Sequence, residues 1–249
     1  MPEPTTPDAT PTSWFGEYLR HSRLPLASFA FVLPLVVIYE GGVALMDGDA
    51  VRNGAELWLR VSLGTLGWEH RLLLPALTLG LLLAAQHASA RPWRFAPSVL
   101  SGMLLECLAW GAGLVAGAQL YGMLVAVLLT APPPVAACTW AGGSLGGVVA
   151  FAGAGIYEEV LFRLALLPMI AAIGVALGQT PTASRVSAVV LSSLLFAVAH
   201  HVGPHGESLH VAVFLFRFAA GGFFACVFLR RGFGVAAGAH AAYDIMVGV

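Results

Sequence analysis

Long apolar stretches alternate along the chain with short connections that carry proline, arginine or acidic residues, and this pattern predicts transmembrane helices. A helix that crosses a bilayer needs about 20 mostly apolar residues. The pattern predicts seven spans, and an eighth could lie within either of the longest apolar runs. The predicted spans are 24–45, 72–90, 97–118, 144–167, 186–201, 209–229 and 233–249. The expected fold is therefore all-α, a polytopic transmembrane helical bundle.

The segments between these spans are less regular. Residues 51–68 mix charged side chains with tryptophan and leucine, which is typical of an interfacial amphipathic segment or a connecting loop. The run 96–131 is too long for one perpendicular helix, so we expect a short apolar extension after residue 118. Pro168 is expected to end the fourth span, because proline removes a helical hydrogen bond. Residues 169–177 would then return along or within the interface.

The chain shows no internal repeat and divides into three regions. Residues 1–23 are rich in proline and threonine and carry acids, which predicts a disordered cytoplasmic tail. This segment lacks the basic start of a signal peptide, so the first apolar run is expected to be retained. Residues 24–143 hold the N-terminal transmembrane helices, and residues 144–249 form a C-terminal helical core.

Composition agrees with a membrane protein and excludes several other classes. Hydrophobic residues make up 58% of the chain and charged residues 10%, whereas soluble domains carry about a quarter charged residues. The lipid bilayer is therefore an expected partner, and nucleic acid is not, because no basic patch exists. The three cysteines are odd in number and show no CxxC spacing, which argues against a disulfide framework and against cysteine catalysis.

The basic residues, which are all arginines, predict the orientation. Cytoplasmic loops carry an excess of basic residues. With the N-terminus inside, seven arginines lie on the cytoplasmic side, three lie outside and two lie within spans. The cytoplasmic seven are Arg20, Arg23, Arg91, Arg94, Arg185, Arg230 and Arg231. The lysine-free composition is typical of a bacterial protein, so we expect an N-in protein of the bacterial cytoplasmic membrane.

The fourth predicted span carries three charged residues, which are rare in spans and usually functional. Glu159 and Arg163 are four residues apart and share a helix face, so they can pair. Glu158 points about 100° away from that face and lacks this partner. A buried carboxylate of this kind can act as a general base. The alternative is that both glutamates only pair with neighbouring helices.

Two further spans contribute histidines. The fifth predicted span ends with His200 and His201, and His201 is interpreted as an interfacial residue. His240 and Asp244 in the last span are four residues apart, so they can serve one site or merely satisfy each other. If the helices pack together, a carboxylate, two imidazoles and an aspartate can polarise a water molecule and stabilise an oxyanion.

At these residues the sequence resembles the CPBP family, which contains CAAX prenyl proteases and bacteriocin-processing, Abi-like enzymes. The family is marked by EExxxR, FxxxH and HxxxN or HxxxD motifs, in that order, on transmembrane helices. Each motif alone is weak, but all three in order are specific. Here the motifs are Glu158-Glu159 with Arg163, Phe196 with His200, and His240 with Asp244. The resemblance covers residues 144–249 and implies that this region is the catalytic core.

The resemblance implies a role for each matching residue. Glu158 is implied to activate a water molecule that His200 helps to hold, while His240 and Asp244 are implied to stabilise the oxyanion. Many family members have asparagine at the last position. An ionised Asp244 cannot donate a hydrogen bond, so its role requires a protonated carboxyl group or the positioning of His240. The residues implied to support these groups are Glu159, Arg163 and Phe196.

We expect no cofactor. Two histidines and two carboxylates could bind Zn²⁺, and family members have been labelled metalloproteases. However, the HExxH motif is absent, and water activation by a glutamate and a histidine needs no metal.

Arg217, in the sixth predicted span, is expected to pair with Glu106 of the third span. The alternative is that Arg217 binds a carboxylate of the substrate, since buried arginine suits carboxylate recognition. Glu40 is expected at the interface. An outer loop is predicted to hold His205, Glu207 and His210.

The function expected from this resemblance is intramembrane endopeptidase activity on a membrane protein or lipidated peptide. In a bacterium the substrate could be a C-terminal sorting tail, as for the myxosortases. A proton-coupled transporter is the first alternative, because acids and histidines in spans also form proton relays. Transporters usually show repeated halves, and here every candidate polar group follows residue 105. The second alternative is a non-catalytic bacteriocin-immunity protein.

Overall fold

The computed structural model describes residues 14–46, 52–68, 70–129, 145–203 and 206–248, and every regular element in these ranges is a helix. The elements are α1 (Trp14–His21), α2 (Pro25–Leu45), α3 (Gly54–Gly64), α4 (Leu73–Ala88), α5 (Ser98–Leu129), α6 (Leu145–Glu159), the π-helix π1 (Val160–Leu166), α7 (Leu167–Ala176), α8 (Pro181–Ala199), α9 (Val211–Arg231) and α10 (Phe233–Val247).

The predicted bundle of apolar helices is present, but the predicted number of spans is not confirmed. Five helical stretches of the described chain are long and apolar enough to cross a membrane: α2, α5, the continuous stretch Leu145–Ala176, α8 and α9. The remaining apolar helices are shorter, since α4 has 16 residues and α10 has 15. The chain is an integral membrane protein, and all regular elements of its described part are helices.

The α10 helix occupies the centre of the bundle and packs against α2, α5, α6 and α9. Nearly all of its residues are buried, and about half of them are alanine or glycine. Small residues let the backbones of neighbouring helices approach closely. At Gly155 of α6, an added Cβ atom would lie only 2.6 Å from the carbonyl oxygen of Ala237. This contact brings the end of α6 directly against α10.

Pro168 does not end the fourth span, contrary to our prediction. The helix changes from α to π geometry at Val160 and returns to α geometry at Leu167, so Leu145–Ala176 forms one continuous helical stretch. Pro168 lies in the first turn of α7, where a missing N–H group is tolerated. Residues 169–177 are expected to turn back along the interface, but residues 169–176 continue this helix in α7.

Two further predictions of helix extent were wrong. Within the run 96–131, the expected end of the third span near residue 118 is absent, since α5 continues without a break from Ser98 to Leu129. No proline interrupts this helix, and at 1.5 Å per residue it is about 48 Å long, which exceeds the roughly 30 Å hydrocarbon core. Residues 14–21 of the predicted disordered tail form α1, whose Tyr18 is buried against α5. Residues 22–23 form the turn between α1 and α2, and residues 1–13 lie outside the described residues.

The two ends of the bundle differ in charge. At one end, here called the arginine-rich end, a cavity is lined by Arg20, Arg91 and Arg94. Arg231 lies at the same end, because its guanidinium donates to Ser22 Oγ at 2.7 Å and to the carbonyl of Leu19. The opposite end, here called the site end, holds α3 and the segment that joins α8 to α9.

Candidate active site

The structure brings together, at the site end, the two residues predicted to activate and hold the water, Glu158 and His200, and the predicted oxyanion residue His240. Glu158 lies in the last turn of α6, His200 directly follows α8, and His240 lies in the middle of α10. The Oε2 atom of Glu158 is 3.9 Å from Nε2 of His200 and 3.8 Å from Nε2 of His240. These distances exceed a direct hydrogen bond but are short enough for one bridging water. Oε2 is buried and has no hydrogen-bond partner among the described residues.

The His240 ring is held on both nitrogens and on one face. Its Nδ1 atom lies 2.9 Å from Oε1 of Glu159, and its Nε2 atom lies 3.5 Å from Oδ2 of Asp244. The ring of Phe224 stacks on the imidazole with centroids 4.4 Å apart and planes inclined by 13°. Together with Glu158, three carboxylates therefore face the two nitrogens of one buried imidazole.

Glu159 and Arg163 form the ion pair predicted from their spacing, with Nε and Oε2 3.2 Å apart. Both side chains are completely buried. The guanidinium also donates to the carbonyl of Gly221 at 3.2 Å and lies 4.9 Å from the centre of the Phe196 ring. A buried charge needs such a partner, so Arg163 neutralises Glu159 while Glu159 holds His240.

Phe196 connects the two histidines. Its ring lies edge-on to His200 at 4.9 Å and is 5.8 Å from the His240 ring. Its carbonyl oxygen lies 2.8 Å from Nδ1 of His200. Because a carbonyl can only accept, Nδ1 carries a proton in this hydrogen bond, and in the neutral ring Nε2 keeps its lone pair. The free lone pair of His200 therefore faces Glu158.

Two cavities meet at this cluster, and His200 and Glu207 line both. One has a volume of about 440 Å³ and lies between α3 and Glu158, with apolar walls that include Trp58 and Phe162. The other has a volume of about 340 Å³ and lies between α8, α9 and α10. The polar side chains that line the second cavity include His200, Glu207, Arg217, His240, Tyr243 and Asp244. An extended peptide could therefore pass beside Glu158 and contact both cavities.

The expected pair between Arg217 and Glu106 does not form. Glu106 binds Arg231 at 2.6 Å, whereas Arg217 donates to Glu207 at 2.7 Å. Arg231 is about 21 Å further along α9 than Arg217, which places the two arginines at opposite ends of the bundle. The hydrogen bond from Arg217 holds the pKa of the Glu207 carboxyl group below its usual range.

Two side chains that touch this site were not predicted from the sequence. Asn53 Nδ2 donates to Glu158 Oε1 at 2.8 Å, and Phe224 stacks on His240. An asparagine three residues before Glu56 is a helix-start signal, but it does not reveal a contact with Glu158. Nothing distinguishes Phe224 from the other apolar residues of its span. Glu40, expected at the interface, is largely buried and accepts from the Tyr157 hydroxyl at 2.8 Å.

The remaining predictions concern His201, His205 and a possible metal site. His201 lies beside the site, with Nδ1 3.0 Å from the carbonyl of Glu207 and its ring tilted against Phe214, and it lines neither site cavity. His205 lies outside the described residues. Within the described ranges, no group of three or more His, Cys, Asp or Glu side chains is arranged to hold a metal ion.

One family model matches the part of the chain that holds these residues. The model of the family described as type II CAAX prenyl endopeptidase Rce1-like matches residues 140–246. This region contains all of α6 to α9 and the four residues Glu158, His200, His240 and Asp244. No significant match was found among curated proteins or among solved structures. The resemblance of this integral membrane protein to the CPBP family, which contains CAAX-type proteases, is confirmed over residues 140–246.

Proposed function

We propose that the protein is an intramembrane endopeptidase in which Glu158 and His200 activate the attacking water. The observation that carries this proposal is the position of Glu158 Oε2, which is buried and 3.8–3.9 Å from Nε2 of both His200 and His240. One water molecule in contact with all three atoms would be close to a general base and to a developing oxyanion.

The hydrolysis needs only groups present in this cluster. The water donates one hydrogen bond to Glu158 and the other to the lone pair of His200. These two hydrogen bonds direct a lone pair of the water oxygen to the scissile carbonyl carbon. As the C–O bond forms, the proton moves to Glu158. The tetrahedral intermediate then collapses, the C–N bond breaks, and Glu158 returns the proton to the leaving nitrogen. The products are a new carboxyl terminus and a new amine.

We assign the oxyanion contact to His240. A protonated His240 ring can donate from Nε2, and the carboxylates of Glu158, Glu159 and Asp244 provide its counter-charge. An ionised Asp244 only accepts hydrogen bonds. Its proposed role is therefore to hold the His240 ring, at 3.5 Å, unless the carboxyl group is itself protonated and donates. No metal or other cofactor takes part in this proposal.

Arg217 is proposed to bind a carboxylate of the substrate. It lines the same cavity as His240 and Asp244, and its Nη1 atom is buried without a hydrogen-bond partner among the described residues. Its Nη2 atom already donates to the Glu207 carboxylate, which occupies the position that a substrate carboxylate would take. Guanidinium groups suit such recognition because they bind carboxylates through two parallel hydrogen bonds.

The proposed location is the bacterial cytoplasmic membrane, with the N-terminus inside. The arginine-rich end would then face the cytoplasm, and the site end would face the outside. A cleft that opens outward suits proteins that have already crossed or entered the membrane. We therefore propose a membrane-protein or lipidated-peptide substrate, such as the C-terminal sorting tail of a surface protein.

The direct test compares the membrane proteome of a wild-type strain with that of a strain producing Glu158→Gln. Glutamine keeps the size of the side chain but cannot act as a general base. The expected result is a precursor that accumulates only in the mutant strain and is cleaved at one site by purified wild-type protein. A proton-coupled transporter or an immunity protein would leave every precursor unchanged, and that result would overturn the proposal.

A further inference from the structure

Asn53 contacts the proposed catalytic glutamate from a part of the chain that the family match does not cover. The match begins at residue 140, whereas Asn53 directly precedes α3. Its Nδ2 atom donates to Oε1 of Glu158 at 2.8 Å. The contact is with the carboxylate oxygen that faces away from the histidines, since Oε2 is the oxygen next to His200 and His240.

The other groups of Asn53 are also engaged, which fixes the direction of its side chain. The Oδ1 atom accepts a hydrogen bond from the backbone N–H of Ala55 at 2.7 Å and so caps α3. Because Oδ1 is the acceptor in this cap, the NH₂ group must point to Glu158. The backbone N–H of Asn53 donates to the Tyr39 hydroxyl at 3.4 Å.

The first turn of α3 is itself anchored to the bundle. Glu56, in this turn, is completely buried and accepts hydrogen bonds from the Tyr39 hydroxyl, Arg52 and Arg60. Tyr39 is also completely buried, and its ring packs edge-on against Tyr157 with centroids 5.4 Å apart. Tyr157 directly precedes Glu158 in α6. The packed rings of Tyr39 and Tyr157 therefore connect the start of α3, next to Asn53, with the helix that carries Glu158.

We infer that Asn53 is a positioning residue for Glu158. By holding Oε1, the Asn53 amide prevents rotation of the carboxylate and keeps Oε2 aimed between the two imidazoles. Hydrogen bonds of this kind around a reacting group hold it in the productive geometry. The inference rests on the proposed function of Glu158 and extends the site to a residue in the N-terminal half of the chain.

Substitutions at Asn53 can separate positioning from helix capping. Serine and aspartate are good N-cap residues, so Asn53→Ser and Asn53→Asp keep the cap but lose the amide donor. Both variants are expected to lower kcat about tenfold to a hundredfold, the range for loss of a hydrogen bond to a charged group. KM should change little, because Asn53 is not proposed to bind the substrate. Asn53→Ala should show the same loss of kcat together with a lower thermal unfolding temperature.

The matched control is Thr180, which caps α8 by accepting from Ala183 N at 3.2 Å and lines none of the site cavities. Thr180→Ala should lower the unfolding temperature but keep kcat. Full activity of Asn53→Ser or Asn53→Asp would overturn the inference and leave only a capping role. Glu158→Gln, measured in parallel, separates the proposed function from the role of Asn53. If Glu158→Gln cleaves normally, the proposed function fails. If Glu158→Gln is inactive while Asn53→Ser is active, only the role of Asn53 is refuted.

Discussion

Glu158 and His240 lie on different helices, yet Oε2 of the glutamate is only 3.8 Å from Nε2 of the histidine. The approach depends on the close contact between α6 and α10, where Gly155 leaves no room for a side chain. A carboxylate and an imidazole so close together in an apolar bundle are costly unless their hydrogen bonds are satisfied.

His200 and His201 are adjacent but should differ completely in their effect on cleavage. His200→Ala removes the proposed second acceptor for the attacking water and should lower kcat by about a hundredfold or more, as is usual for a general acid–base group. His201→Ala should leave kcat within about threefold, because His201 lines neither site cavity. Steady-state cleavage of the identified precursor measures both values. Equal losses in the two variants would contradict the assignment.

Asp244→Asn should keep most of the activity, whereas Asp244→Ala should not. The amide can still lie 3.5 Å from the His240 ring and can also donate a hydrogen bond to an oxyanion. Alanine removes both functions, and kcat should fall roughly tenfold to a thousandfold, as for loss of one oxyanion donor or its support. The control is the thermal unfolding temperature in detergent. An inactive but folded Asp244→Asn would show that the negative charge itself is required.

Arg217→Gln should weaken the binding of substrates that end in a free carboxylate. Loss of a charged hydrogen bond should raise KM about tenfold to a hundredfold for a peptide with a free C-terminus, and much less for the same peptide with an amidated C-terminus. Arg185→Gln is the matched control, because Arg185 is exposed and donates to a carbonyl at the start of α8. An equal rise in KM for both peptides would exclude carboxylate recognition by Arg217.

Glu207→Gln tests whether the Glu207 carboxylate competes with the substrate for Arg217. Since the Glu207 carboxylate is bound by Arg217 and its pKa is lowered by that hydrogen bond, the pair persists at neutral pH and is lost only as the pH falls through the lowered pKa. Removing the charge should free Arg217 and lower KM for the free-carboxylate peptide near neutral pH. An unchanged KM would show that Glu207 does not compete with the substrate.

Cysteine labelling of whole cells tests the proposed orientation. Leu209 and Trp93 are both exposed and lie at the site end and the arginine-rich end, respectively. In a background without native cysteines, Leu209→Cys should react with a membrane-impermeant maleimide added to spheroplasts. Trp93→Cys should react only after the membrane is opened. The reverse pattern would place the site on the cytoplasmic side and would remove the support for a sorting-tail substrate.

The helical fold and the set of chemical groups follow directly from the amino-acid pattern. Apolar stretches of span length specify helices because backbone hydrogen bonds must be satisfied within each segment in lipid. Residues four apart share a helix face, which is why the pairs Glu159–Arg163 and His240–Asp244 formed as predicted. These relationships are local, and the helical repeat is enough to derive them.

Tertiary structure alone decided which groups meet across helices. The two arginines of α9 lie at different heights along the helix and therefore meet different acidic side chains. Arg217 pairs with Glu207, and Arg231 pairs with Glu106. The contact between Asn53 and Glu158 depends on where α3 packs against α6. The continuation past Pro168 depends on a π-helix that the sequence pattern does not reveal. Such contacts join residues distant in sequence, so they follow from the packing of whole helices and not from any local repeat.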